Sequence, residues 1–354
     1  MARGPFAAAG AGAAQPHADG GPRVLVAGAT GFAGALAAQL LWRHPRFELA
    51  GVTGRSEQGR TLGELYPRYR VPLAIEELDL ERLEGIDAAV VAYPHAAAAP
   101  TVAALHERGV RVVDLSADFR LRSLSTYERW YGEHPRPALL GEAAYGLTEL
   151  HREAIAGAAI VANPGCYPTA TLLAVAPLAR AGLIADAVID AKQGISGAGR
   201  VFDETTHLSM AGENIVPYKV AAHRHTPEIE EQLAQLHGPL AGLRVQFQAH
   251  LVALDEGEMA SCYITTTRPV GAEELHELYA DAYAGEPFVE LVDAPPGVLE
   301  VRETNYCRVF AASDSHTGKV IAFGAIDNLW KGTSSQAVQN LNLMFGLPET
   351  AGLT

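Results

Sequence analysis

The sequence predicts an α/β protein: a doubly wound parallel sheet first, then an α+β domain with a mixed sheet. Three observations carry this expectation. Short apolar runs alternate with helical segments over residues 23–165, a glycine turn sits directly after the first run, and period-2 strands joined by polar turns follow residue 226. At roughly 100–200 residues per domain, 354 residues suggest two domains. The balance of 27 Lys and Arg against 41 Asp and Glu, net −14, argues against a nucleic-acid partner, which needs a basic face. A few arginines can still build a local pocket for a small anion. The 3 cysteines cannot all pair and lie far apart, so no disulfide framework is expected and the reducing cytoplasm is the default compartment. No run of about 18 apolar residues occurs, so no membrane span is expected.

Residues 1–22 are rich in Ala and Gly, lack periodicity and lack the apolar stretch of a signal peptide; a disordered extension is expected. The run at 23–27 reads as a strand, GATGFAG at 28–34 as a turn, and Leu36, Ala37, Leu40 and Leu41 as one face of a helix. Runs at 47–52, 86–92, 110–115 and 159–162 are further strands, with a helix around 99–108. This β-α-β alternation is Rossmann-type. From residue 166 the texture changes: a helix at 168–181, a strand at 187–191, then a Gly-rich stretch to 226. Val245, Phe247, Ala249 and Leu251 alternate with polar residues, and 262–266, 306–311 and 320–325 are strands of the same sheet. The tail at 333–345 has helical spacing.

The glycines at 28, 31 and 34 suit a dinucleotide. Small residues permit a tight turn and close backbone approach to a pyrophosphate, which then meets the helix N-terminus formed by Thr30, Phe32 and Ala33. The second strand ends in Thr53-Gly54-Arg55-Ser56 rather than in the carboxylate that binds an NAD ribose. Arg55 and Ser56 therefore predict a 2′-phosphate, hence NADP(H).

Cys166, in NPGCYPT, lies between a strand and a helix, where unpaired amides favour a thiolate nucleophile. Cys262 and Cys307 sit within strands and read as packing residues. In HRHTPEI, His223 and His225 precede a helix whose N-terminus favours neutral imidazole, suited to acid/base work. Nothing nearby completes a metal set, so no metal is expected. Arg120, after a strand of the parallel sheet, and Ser196, Gly197 and Arg200, in a glycine-rich turn, are candidate phosphate or carboxylate contacts. Together with a nucleophile and a nicotinamide site they suggest an acyl phosphate substrate.

The motifs GATGFAG (28–34), LSADFR (115–120), YGLTEL (145–150), NPGCYPT (163–169), SGAGR (196–200), HRHTPEI (223–229) and QAVQNLNLM (336–344) run in order over nearly the whole chain. In them the sequence resembles the N-acetyl-γ-glutamyl-phosphate reductases of arginine biosynthesis, within the semialdehyde dehydrogenase superfamily. The resemblance implies Cys166 as nucleophile and His223 as acid/base, with His225 a second choice. It implies an NADP-binding domain at 23–165, with Pro94 in a cofactor turn, completed by residues 327–354, which would bring Asn328 near the nicotinamide. Residues 166–326 would carry the substrate pocket and the interface of a homodimer or homotetramer. The sequence departs from the family at Pro94-His95-Ala96, often Pro-His-Gly; at Gly332-Thr333-Ser334, often Gly-Ala-Ala; and at Glu256, often Arg.

The implied reaction is attack of Cys166 on the acyl phosphate, loss of phosphate, and reduction of the thioester by NADPH to a semialdehyde. Two alternatives stand beside it. One is the homologous aminoadipyl-phosphate reductase of lysine biosynthesis, whose substrate differs by a methylene worth only roughly 1–3 kcal/mol. The other, of a different class, is a non-catalytic NADP-sensing protein.

Overall fold

The computed structural model describes residue 15 and residues 20–200, 204–237 and 243–354. The extension expected at 1–22 thus lies outside the described residues, apart from Gln15 and positions 20–22. The chain divides into two compact units, one running to Pro164 and resuming over Thr333–Thr354, the other spanning Gly165–Gly332.

In the first unit, strands β1 (Arg23–Ala27), β2 (Glu48–Thr53), β3 (Ile75–Glu76), β4 (Ala88–Val91), β5 (Arg111–Asp114), β6 (Ala143–Tyr145) and β7 (Ile160–Ala162) form one sheet. Their order is β3-β2-β1-β4-β5-β7-β6, and every pair is parallel. Strands covered on both faces need apolar residues at every position, which is why they read as runs rather than as alternation. Helices α1 (Phe32–Trp42), α2 (Leu62–Leu65), α3 (Ala99–His106), α4 (Leu124–Tyr131) and α5 (Thr148–Ala156) fall between them.

In the second unit, α6 (Cys166–Arg180) leads to β8 (Ile184–Gln193), α7 (Leu208–Ala211), β9 (Ile215–Tyr218), α8 (Thr226–His237), β10 (Val245–Val252) and β11 (Glu258–Thr266). Then come α9 (Ala272–Tyr283), β12 (Val289–Leu291), β13 (Cys307–Ser313) and β14 (Val320–Ile326). The sheet order is β12-β13-β14-β11-β8-β10-β9, with β12/β13 and β8/β10 parallel and the other pairs antiparallel. A mixed sheet is what the period-2 strands predicted. Helix α6 packs on β11, β14 and β13 and is buried from Tyr167 to Ala179. Pro177 inside it has no N–H for the carbonyl of Leu173, and the Tyr283 hydroxyl donates to that carbonyl instead.

The return to the first unit begins at Thr333, not at 327 as expected. The reason is local bonding. Asp327 accepts the amides of Glu303, Leu329 and Trp330, and Asn328 is held by Ser196 and Gly257, all within the second unit. Past that point α10 (Ser335–Met344) packs against α1 and α5.

Candidate active site

Strand order reverses at β1, which pairs with β2 on one side and β4 on the other, so the crevice at the carboxyl ends of β1 and β4 is where an open parallel sheet binds ligands. The expected cofactor residues border it. Gly28 has φ +94°, and a Cβ there would stand 2.6 Å from the Ala92 carbonyl oxygen; one at Gly34 would stand 2.3 Å from the Gly28 oxygen. The amides of Phe32, Ala33 and Gly34 lie ahead of the first α1 bond, from Ala35 N–H to the Gly31 oxygen at 2.9 Å, and Gly31 offers no side-chain cap. The Thr30 carbonyl accepts from the Tyr66 hydroxyl at 2.9 Å. Arg55 and Ser56 are exposed beyond β2, with the Arg55 guanidinium 5.3 Å from the Tyr93 ring centre, and Pro94 is exposed beyond β4. A turn that side chains would fill, facing helix amides, fits a pyrophosphate, and an exposed guanidinium beside it fits a further phosphate.

Arg120, expected to meet an anion, is 8% exposed; its Nε donates to the Asn163 oxygen and its Nη2 to the Leu115 oxygen, both at 2.8 Å. It thereby ties the loops after β5 and β7 together. Its neighbour Asp118 accepts the amides of Ala96 at 2.7 Å and Ala99 at 2.9 Å, holding the start of α3 and the turn after β4.

Cys166 is the first residue of α6, with Gly165 as N-cap and no capping side chain. Its thiol donates to Gln193 Oε1 at 3.2 Å. The Gly165 amide donates to Glu228 Oε1 at 2.9 Å, so a buried carboxylate on α8 fixes the residue before the cysteine. Gly332 closes the other side: a Cβ there would lie 2.9 Å from the Cys166 Cβ. Ser196 is buried, donates to the Asp255 oxygen at 2.6 Å and accepts from Asn328 Nδ2 at 3.0 Å. Asn328, expected near the nicotinamide, also accepts the Gly257 amide at 2.8 Å. Gly197 sits directly over the Gln193 amide, while Arg200 is exposed farther along the turn.

Tyr167, the residue after the cysteine, packs edge-on against both imidazoles, with ring centres 5.5 Å from His223 and 5.8 Å from His225. His223 is buried among Tyr167, Tyr218, Phe247 and His225. Burial, helped by Lys219 and Arg224, pulls its pKa down to about 3. Burial is thus the first cause of the neutral form. Its Nδ1 accepts the His225 amide at 3.2 Å, which places the ring proton of the neutral form on Nε2. Cys262 and Cys307 are buried within strands, and burial pushes the Cys262 thiol up to about 12. Among the described residues no group of three or more His, Cys, Asp or Glu could hold a metal ion, and no helix is long and apolar enough to cross a membrane.

Residues 23–158 match the family described as semialdehyde dehydrogenase, NAD binding domain, and residues 166–328 match semialdehyde dehydrogenase, dimerisation domain. An N-acetyl-gamma-glutamyl-phosphate reductase of Desulforudis audaxviator is 48% identical, the match covering 94% of this chain and 97% of that protein. One of Moorella thermoacetica is 45% identical over 93% and 96% of the two chains. The chain belongs to the N-acetyl-γ-glutamyl-phosphate reductase family. Among solved structures, aspartate semialdehyde dehydrogenase II of Vibrio cholerae shares the fold at 20% identity, with a TM-score of 0.70 over 92% of this chain and 98% of that one. The Candida albicans aspartate semialdehyde dehydrogenase with NADP does so at 16% identity, TM-score 0.68, over the same shares.

In this member of the N-acetyl-γ-glutamyl-phosphate reductase family, sequence reading passed over three residues around the cysteine: Gln193, Glu228 and Glu258. Gln193 and Glu258 pair across β8 and β11, a register invisible in either strand alone. Glu258 had a signal. It continues the inward alternation of Ala260, Cys262 and Ile264, but the expected strand began at 262 because a glutamate beside a glycine reads as loop. Glu228 reads as an ordinary first-turn acid of α8 and is in fact buried.

Proposed function

We propose that the protein reduces N-acetyl-γ-glutamyl phosphate to N-acetylglutamate 5-semialdehyde and phosphate, through a thioester on Cys166. The observation that carries this reading is the Cys166 thiol at the start of α6, set against the Gln193 amide. The helix N-terminus lowers the cost of the thiolate, which attacks the acyl carbon as phosphate leaves; one hard displacement becomes two easier ones. NADPH, held by Gly28–Gly34 with Arg55 and Ser56 on its 2′-phosphate, supplies the hydride when bound. The neutral His223, with its proton on Nε2, donates to the oxygen that gains charge at each tetrahedral stage. Arg200 and the turn at Ser196 and Gly197 contact the phosphate, and Arg120 braces the ends of β5 and β7. The curated relatives named above favour the glutamyl substrate over its longer homologue. We infer a cytoplasmic homodimer or homotetramer, in keeping with the dimerisation-domain match over residues 166–328.

The test is phosphate-dependent NADP⁺ reduction with N-acetylglutamate semialdehyde, its homologue with one more methylene, and aspartate semialdehyde. The first should turn over best by at least about tenfold, since a methylene is worth roughly 1–3 kcal/mol. Equal or better turnover of the longer substrate overturns the assignment. Cys166→Ser should abolish turnover with NADPH affinity retained; an active serine variant removes the thioester.

A further inference from the structure

Between β4 and α3 the chain reads Ala92-Tyr93-Pro94-His95-Ala96-Ala97-Ala98, with no Ser, Thr, Asp or Asn to cap the helix. The N-cap, Ala98, accordingly makes no side-chain bond. Ala96 is also held at φ +64°, a conformation that costs alanine stability and that glycine adopts freely. One residue from the loop after β5 answers both defects. The Asp118 carboxylate is completely buried and accepts the amides of Ala96 at 2.7 Å and Ala99 at 2.9 Å, one oxygen to each. The Tyr127 hydroxyl, from α4, donates at 2.8 Å to the oxygen that holds Ala96. The main chain of Asp118 is fixed as well: its amide donates to Ser116 Oγ at 3.1 Å, and its carbonyl accepts from His134 Nε2 at 2.7 Å. Tyr127 stacks on Tyr131 with 4.9 Å between ring centres, and Tyr131 meets His95, in the turn itself, edge-on at 5.5 Å.

A strained residue persists only where its surroundings over-determine it, and such strain collects where a ligand must be met. The turn at 94–96 is exposed at the carboxyl end of β4, on the crevice where strand order reverses. Capping α3 needs only the Ala99 amide; the second oxygen, on Ala96, sets the shape of the turn. We propose that Asp118 is a positioning residue for NADP(H), holding residues 94–96 in the shape that the dinucleotide meets, with Tyr127 orienting its carboxylate. The proposal deepens the function given above and rests on the cofactor binding at the ends of β1 and β4. Being buried, Asp118 acts through the backbone of Ala96 and not by contact with the ligand. It also occupies the start of α3, so the uncapped start of α1 is the helix terminus left to the pyrophosphate. Asparagine cannot replace it, because its one acceptor oxygen serves one amide while its NH2 group faces the other donor.

The experiment compares the native enzyme with Asp118→Asn, Ala96→Pro and the double variant Asp118→Asn/Ala96→Gly. The quantities read are the NADPH dissociation constant by fluorescence titration, kcat and KM, and the thermal midpoint. Asp118→Asn should weaken NADPH about tenfold with kcat at saturating NADPH within about threefold of native, the pattern of lost binding rather than lost chemistry. Adding Ala96→Gly should restore most of that affinity, because glycine takes the left-handed conformation without a holder; a merely structural Asp118 gives no such recovery. Ala96→Pro changes an exposed residue, removes the same amide and forbids positive φ. It should also weaken NADPH about tenfold with the thermal midpoint little changed, so the test stands even if Asp118→Asn folds poorly. NADPH affinity within about twofold of native in Asp118→Asn or in Ala96→Pro, or no recovery in the double variant, overturns the proposal. If the native enzyme binds NADPH and Asp118→Asn binds it equally well, Asp118 alone is misassigned; if the native enzyme does not bind NADPH, the cofactor reading fails and the proposal with it.

Discussion

Gly197→Ala isolates the contribution of Gln193. The new methyl would stand 2.0 Å from Gln193 Nε2, 2.4 Å from Cδ and 2.8 Å from Oε1. Ordinary contact begins at 3.4 Å, so the amide must retreat by about 1.4 Å, the difference between 3.4 and 2.0. The clash is with the far end of a flexible side chain, and the backbone at 197 is not in the left-handed region, so the fold yields at the low end of the roughly 1–3 kcal/mol that overpacking costs. The Cys166 contact cannot survive it, because a 3.2 Å bond has no slack for a shift of that size. Misplacing a group beside the reacting atom by about 1 Å costs on the order of 100-fold, so kcat/KM should fall about 10–100-fold while the thermal midpoint drops by only a few degrees. The assay is steady-state kinetics beside a thermal melt, with Gly271→Ala as control, since a methyl there meets nothing within 4 Å. A Gly197→Ala enzyme with kcat/KM within about threefold of native would refute the reasoning, for the displaced amide would then be shown not to matter.

Other consequences follow from single residues. Ala96 has φ +64°, a left-handed conformation held by its amide bond to Asp118, and a side chain there costs roughly 1–2 kcal/mol. Ala96→Gly should therefore raise stability in urea by about 0.5–1 kcal/mol after the extra unfolded-state entropy is subtracted; a loss of stability would contradict this. His223 titrates at about 3 when folded and near 6.5 when unfolded, so its contribution is complete above 6.5 and is lost as pH falls from 6.5 towards 3. The expected slope is about 1.4 kcal/mol per pH unit below 6.5, flattened in His223→Gln; identical slopes in urea melts would exclude it. Arg55→Ala should raise the KM for NADPH about 3–10-fold and leave that for NADH alone, the modest size reflecting an exposed guanidinium. An unchanged NADPH KM would remove Arg55 from the cofactor site.

Much of this was legible in residues close together in the chain. The runs that became β1, β2, β4, β5 and β7 are apolar because both faces of a parallel sheet are covered, and the turn at 28–34 needs glycine where Cβ atoms would strike carbonyls. The shortest strand, β3, with 2 residues, is too short for any period to show. Cys166 was recognisable because strand end, helix start and cysteine are neighbours in sequence. Asn328 was placed with the wrong unit because its partners, Ser196 and Gly257, lie on distant segments.

The sequence by itself thus determined the order of elements, the glycine turn, the cysteine at a helix start and the family to which the chain belongs. These depend on the period of burial and on bonds within a few residues. Only the tertiary structure decided what surrounds the thiol: Gln193 accepting from it, Glu258 opposite Gln193 on the adjacent strand, Glu228 fixing the residue before it, and His223 made neutral by burial. The physical reason is register. Strand pairing brings together residues far apart in the chain, and their burial, which sets protonation, exists only once the sheet has formed and α6 has packed upon it.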